Sequence, residues 1–326
     1  MSPPATTRLR VADPTDLLAV LPFLLGFHPE ESVVTVLVRG GRVALTARVD
    51  LPDRAAATVL GRELRSLADR QQADELVLVA YSAAADDALG VLHRLTEVLG
   101  GLVSDAVYVD GQRWWSLLCT RGCCPPEGRP YEVDAHPLAA EAVLAGLPVR
   151  ATRAELEASI LGPEAADHPR LERLAERLRS EVDRLSPAAA AELVEATVRS
   201  AVVGGADLDE TGRLRLAAAV TDLTLRDRAW ALIDRAAVDS HLRLWSGVVQ
   251  SAPPSLAPAP LCLLGLAGWI GGDGALLNCC AERVSVLDPG YSLGGLLADI
   301  SARAVPPTLW DELQAGLCDE LGLVAG

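Results

Sequence analysis

The sequence predicts an α/β protein: a mixed β-sheet domain at the N-terminus followed by an all-helical C-terminal region. Three patterns carry that prediction. Val33–Val38 is apolar on both faces except at Thr35, which suits a strand buried inside a sheet. Up to about Tyr131, short apolar or alternating runs trade places with three- and four-residue periodicities, as strands and helices do in turn. From Pro137 onward only the helical period recurs.

In the first domain, Asp13-Pro14 opens a helix. Asp supplies a side-chain cap, and Pro takes a first position whose amide has no partner in any case. Pro22 is expected to end or kink that helix. Gly40-Gly41 joins Val33–Val38 to Arg42–Asp50 as a tight hairpin, because glycine adopts the positive φ such turns need. The second strand alternates, with Val43, Leu45, Ala47 and Val49 on one face and Ala44, Thr46, Arg48 and Asp50 on the other. Asp53 caps a helix to about Gln72 that turns Val59, Leu60, Leu64 and Leu67 inward. Glu75–Tyr81 is a buried strand, Asp86–Leu99 a helix and Asp105–Val109 a strand; Asp110-Gly111 then turns the chain back into Gln112–Thr120. This order implies a sheet that is parallel across helical crossovers and antiparallel at both hairpins. It has five strands, with Val33–Val38 central, over residues 10–131.

In the second region Thr152-x-x-Glu155 reads as a capping box. Leu171, Leu174, Leu178, Val182 and Leu185 form an apolar stripe, and Ser186-Pro187 starts another helix. Ser251–Pro260, rich in proline and free of charge, reads as an extended linker. It divides a helical domain over 137–250 from helical residues 261–326. There Leu264-Gly265, Gly272 and Pro289 fall where a tetratricopeptide repeat places its Leu-Gly, turn glycine and closing proline. The segment resembles a single unit of that kind, although Leu277 and Val284 stand where the repeat uses small residues.

Composition narrows the function class. The formal charge of -15 and pI near 4.8 argue against non-specific nucleic-acid binding, which needs a basic surface to displace phosphate counterions. Every basic residue is arginine, so a Walker-type Gly-x-x-x-x-Gly-Lys is impossible, and no Gly-x-Gly-x-x-Gly follows a strand. The N-terminal residues lack the pattern of a signal peptide, and no apolar run is long enough to span a bilayer. A cytoplasmic location is expected, with the seven cysteines as reduced thiols or metal ligands.

Two loops carry the candidate site. Gly26-Phe27-His28-Pro29-Glu30-Glu31-Ser32 leads into the first strand and could present His28, Glu30, Glu31 and Ser32 at the sheet rim as acid–base or binding groups. Alternatively Gly26 ends the helix, Phe27 packs beneath the sheet and the carboxylates are solvated. Cys119-Thr-Arg-Gly-Cys123-Cys124-Pro-Pro-Glu127-Gly128 leaves the last strand. Its thiols could bind zinc with His136, could be activated by Arg121 and Arg129, or could pack as small apolar groups. Structural zinc favours two separated knuckles, and here only Cys119 and Cys123 have fitting spacing, which argues against the metal. If the last strand runs antiparallel to Val33–Val38, Cys123, Cys124 and Glu127 face His28 and Ser32 across one cleft. Arg48 or Asp50 would form its wall. Cys262, Cys279 and Cys280 lie at apolar helical positions and read as core.

Gly26-Phe27-His28-Pro29 with Ser32, Arg48-x-Asp50-Leu51-Pro52, Cys123-Cys124-Pro125-Pro126-x-Gly128, Gly271-Gly272-Asp273-Gly274-Ala275 and Asp288-Pro289-Gly290-Tyr291-Ser292 together resemble an actinobacterial family built on a domain of unknown function. The resemblance implies a cytoplasmic protein and supplies no activity. The residues themselves leave two readings. One is a binding or regulatory protein with a cleft for a small molecule or a protein partner. The other is a cysteine-dependent hydrolase or transferase working at the sheet rim.

Overall fold

A computed structural model describes residues 11, 13–119, 124–133, 135–144, 149–150 and 152–323. Its contacts divide the chain into two units, 1–153 and 154–326. The first therefore continues past Tyr131 and takes in the helix that begins at Pro137. The second holds all helices on both sides of Ser251–Pro260.

The first unit is the expected mixed α/β sheet. Its elements are α1 (Pro14–Leu25), β1 (Ser32–Arg39), β2 (Arg42–Asp50), α2 (Arg54–Gln71), β3 (Glu75–Tyr81), α3 (Ala85–Leu99), β4 (Val103–Val109), β5 (Arg113–Ser116), β6 (Arg129–Pro130) and α4 (Pro137–Leu144). The strand order is β2-β1-β3-β4-β5-β6. β1 pairs antiparallel with both β2 and β3, so it lies in the interior, as its two-sided apolarity requires. β3 and β4 are parallel, and β4 and β5 antiparallel. The sixth strand is an addition to the five expected. It is two residues long and pairs Arg129 with Trp114 and Pro130 with Arg113, too short to leave any periodic signal.

Local chemistry explains most boundaries. Asp13 accepts the Asp16 amide and Asp53 the Ala56 amide, each satisfying an orphan donor of a first helical turn. Gly40 and Gly41 have φ 56° and 71°, the positive values expected of the hairpin. Pro22 does not end α1, which runs on to Gly26. Its missing amide removes one rung, and the burial of Phe23 and Leu25 keeps the last turn in place. Leu64 is buried and Leu60 and Leu67 pack on the same core as expected, with Ala57 and Ala68 beside them, whereas Val59 faces solvent at 53 % exposure. On one sheet face Val33, Leu37, Leu76, Leu78, Ala80, Ala106 and Tyr108 form a single cluster with α2 and α3. Residues of opposite parity, among them Val34, Val36, Val79 and Val107, are equally buried, so the sheet is covered on both faces.

The second unit comprises α5 (Arg153–Ser159), α6 (His168–Asp183), α7 (Pro187–Val202), α8 (Glu210–Ala219), α9 (Leu223–Ala231), α10 (Val238–Ser251), α11 (Pro258–Gly271), α12 (Gly274–Leu287), α13 (Ser292–Ala302) and α14 (Trp310–Leu321). No strand occurs among its described residues. α11 is the centre: every residue from Ala259 to Ile270 is buried. Glycines let its neighbours approach, since a Cβ on Gly265 would stand 2.7 Å from Leu297 and 3.0 Å from Cys280. The extended linker expected over Ser251–Pro260 is absent. Pro258 and Pro260 sit in the first turn of α11, where proline is tolerated. The remaining corner is buried through Ala252 and Leu256.

Candidate functional site

Strand direction decides which candidate residues meet. The two hairpins reverse the chain and the two helical crossovers do not, so β5 runs in the same sense as β1. The condition for a shared cleft, a last strand antiparallel to β1, is not met. Cys119 leaves β5 at the rim where β1 ends, while His28 and Ser32 lie at the rim where β1 begins. Cys123 falls outside the described residues. Cys124 begins the return: Gly128 donates to the Pro125 carbonyl at 2.9 Å, and Trp115 donates to the Pro126 carbonyl at 3.0 Å. Arg113 donates to the main-chain carbonyls of Glu127 and Gly128 at 3.2 and 3.0 Å. Among the described residues no group of three or more His, Cys, Asp or Glu is arranged to hold a metal ion.

The His28 rim is built by other residues. Register places Asp50, Ser32, Tyr81, Val109, Trp114 and Arg129 in one row across all six strands, with their side chains on one face. This rim holds the carboxyl ends of the two parallel strands β3 and β4, the edge at which open α/β sheets bind ligands. Above the row, Gly26 ends α1 with φ 78°. Arg150 then ties down the loop: its amide donates to the Gly26 carbonyl at 2.8 Å, and its carbonyl accepts the His28 amide at 3.2 Å.

Glu31 is the clamp of the rim. Its backbone is held at φ 38°, a conformation side chains rarely adopt. Its carboxylate accepts from the Ser82 hydroxyl at 2.8 Å and the Ala83 amide at 2.9 Å, and its carbonyl accepts the Leu51 amide at 2.9 Å. One residue thus fastens the starts of β1 and α3 and the end of β2. Arg48 and Asp50 also come to this rim. They form an ion pair, and Arg48 donates to the Glu30 carbonyl at 3.2 Å. Ser32 is fully buried, and neither its hydroxyl nor the Arg48 Nε has a hydrogen-bond partner among the described residues.

Tyr131, reached directly from β6, sets its ring edge-on to Tyr81 at 6.2 Å between centroids. Its amide donates to the Gln112 carbonyl at 2.8 Å. Burial, and secondarily the neighbouring Tyr131, push the Tyr81 hydroxyl well above its usual range. The result is an open hollow of about 400 Å³ lined by His28, Gly111, Tyr131, Glu132, Val133 and Ala135, a volume within the range of small-molecule sites. Beside it His136 faces Asp16 at 3.4 Å. Sequence reasoning placed His28 and Glu31 at the rim but missed Tyr131–Ala135. Counting chain reversals would have set the direction of β5 and removed the cysteine loop from the His28 rim.

A family model described as a domain of unknown function, DUF4192, matches residues 14–308. The chain belongs to that family. No curated protein and no solved structure matches it. The matched span of this DUF4192 chain takes in the rim, the hollow and the helical unit as far as the corner before α14. No helix among the described residues is long and apolar enough to cross a membrane.

Proposed function

We propose that this chain is a cytoplasmic, actinobacterial-type binding or regulatory protein whose ligand site is the hollow on the sheet rim. One observation carries the reading. At the carboxyl ends of β3 and β4, His28 and Glu132 border one hollow, and neither side chain has a hydrogen-bond or ion-pair partner among the described residues. Polar groups converging in a concavity that also has aromatic and aliphatic lining, here Tyr131 and Val133, are what a small-molecule site offers. The all-arginine composition supports the assignment of source, and the extensive helical surface is suited to partner contacts.

Purified full-length protein should carry a small molecule detectable by native mass spectrometry. An Ala135→Trp variant, which fills the hollow from its exposed side, should have lost it. The same adduct on the filled variant, or no adduct on wild-type protein from its own host, would contradict the assignment.

A further inference from the structure

We propose that the rim hollow selects a small organic cation, an amidinium, guanidinium or primary ammonium group on a compact, partly apolar frame. This deepens the reading of the hollow as a ligand site and rests on it.

The argument is one of charges left over. Besides Glu30 and the Arg48-paired Asp50, three carboxylates belong to this rim. Glu31 is held by two neutral donors, the Ser82 hydroxyl and the Ala83 amide. Asp110, next to the lining residue Gly111, accepts the amides of Gln112 and Arg113 at 2.8 and 2.6 Å, again neutral. Glu132 has no such partner among the described residues. Amide and hydroxyl donors stabilise an ionised carboxylate without cancelling its charge.

The rim's arginines do not offset that field inside the hollow. Arg48 is spent on Asp50 and the Glu30 carbonyl. Arg113 turns to the carbonyls of Glu127 and Gly128, and Arg129 lies over the Trp114 ring at 5.7 Å. None of these, nor Arg150, whose main chain holds Gly26 and His28, lines the hollow. Tyr131 does, and an aromatic ring beside a carboxylate is favourable for a cation. An anionic ligand would find no free guanidinium among the lining residues. A purely apolar one would leave the carboxylates without gain.

Benzamidine, benzamide and benzoate share one ring and nearly one shape and differ in charge. Each is titrated into the full-length protein while backbone amide resonances are followed. Benzamidine is expected to shift His28, Gly111 and Tyr131–Val133 saturably, binding about tenfold more tightly than benzamide. Benzoate should leave these amides unmoved. Glu132→Gln should bring benzamidine to the benzamide level without lowering the melting temperature. Benzoate binding at the same amides as tightly as benzamidine overturns the charge selection while leaving the hollow as a binding site. Failure of all three to move these amides overturns both.

Discussion

The rim of the sheet unit and the heart of the helical unit are made from the same aliphatic sequence but finished differently. Around α11 several donors reach main-chain carbonyls, although Trp230 Nε1, His241 Nδ1, Trp245 Nε1 and Arg283 Nε are buried without a partner among the described residues. Trp269 donates to the Val305 carbonyl at 2.7 Å, and Trp310 to the Ile233 carbonyl at 2.8 Å while stacking on Trp230. Arg235 reaches the carbonyls of Ile270 and Pro307 and the carboxylate of Asp311. At the rim, orphaned groups lie near a strained residue and an opening. Among the described residues Ser32 Oγ and Arg48 Nε are buried without partners, Glu31 occupies a costly φ, and His28 stands open to a hollow. A buried orphan hydroxyl costs about 1–3 kcal/mol, and a strained non-glycine residue about as much. Orphaned atoms occur in both units; what sets the rim apart is that they lie near a left-handed non-glycine residue and an open hollow.

That contrast can be broken by mutation. Trp310→Ala should have the largest effect, a loss of about 3–5 kcal/mol, because Trp310 is fully buried between Trp230 and Trp269. Urea unfolding of the full chain measures it; a loss below about 1 kcal/mol would show that α14 is not part of the helical core.

Acid supplies the next test. His241 is buried on α10, accepts the Asp234 amide at 3.3 Å, and is lowered by burial to about 4. Unfolded histidine titrates near 6.5, so protonation favours the unfolded chain. Stability linked to His241 is complete above about pH 6.5 and is lost as pH falls towards 4, by up to about 3 kcal/mol. His241→Gln keeps an acceptor without a titrating ring and should flatten unfolding free energy over that window. An unchanged slope would refute the assignment.

Smaller effects belong to the rim. Glu31→Ala removes the carboxylate from Ser82 and Ala83 and should cost about 1–3 kcal/mol, with faster amide exchange at Ser82–Ala84. If exchange there is unchanged, Glu31 is not the clamp. Ser32→Ala should be neutral or stabilising by about 1 kcal/mol, since it removes a buried hydroxyl that has no partner. A clear destabilisation in thermal melts would mean that the hydroxyl is satisfied.

The same contrast governs what could be read from residue order alone. Val33–Val38, Gly40-Gly41 and the caps at Asp13 and Asp53 were legible because local chemistry and final environment agree there. Ser251–Pro260 misled because proline density resembles a linker, yet Pro258 and Pro260 serve a first helical turn and Leu256 is buried. The hollow was only half legible. His28 announced itself in a loop before a strand. Tyr131–Ala135 gave no pattern, being carried to the same rim by a two-residue strand held to Arg113 and Trp114.

The most direct test of the central claim is a residue-resolved map of where small molecules bind. A charge-balanced fragment library is titrated into the full-length chain while backbone amide shifts are followed. The account expects saturable shifts to concentrate at His28, Gly111 and Tyr131–Val133, and to vanish in Ala135→Trp. Shifts that concentrate instead within residues 154–323, with the rim silent, would contradict it.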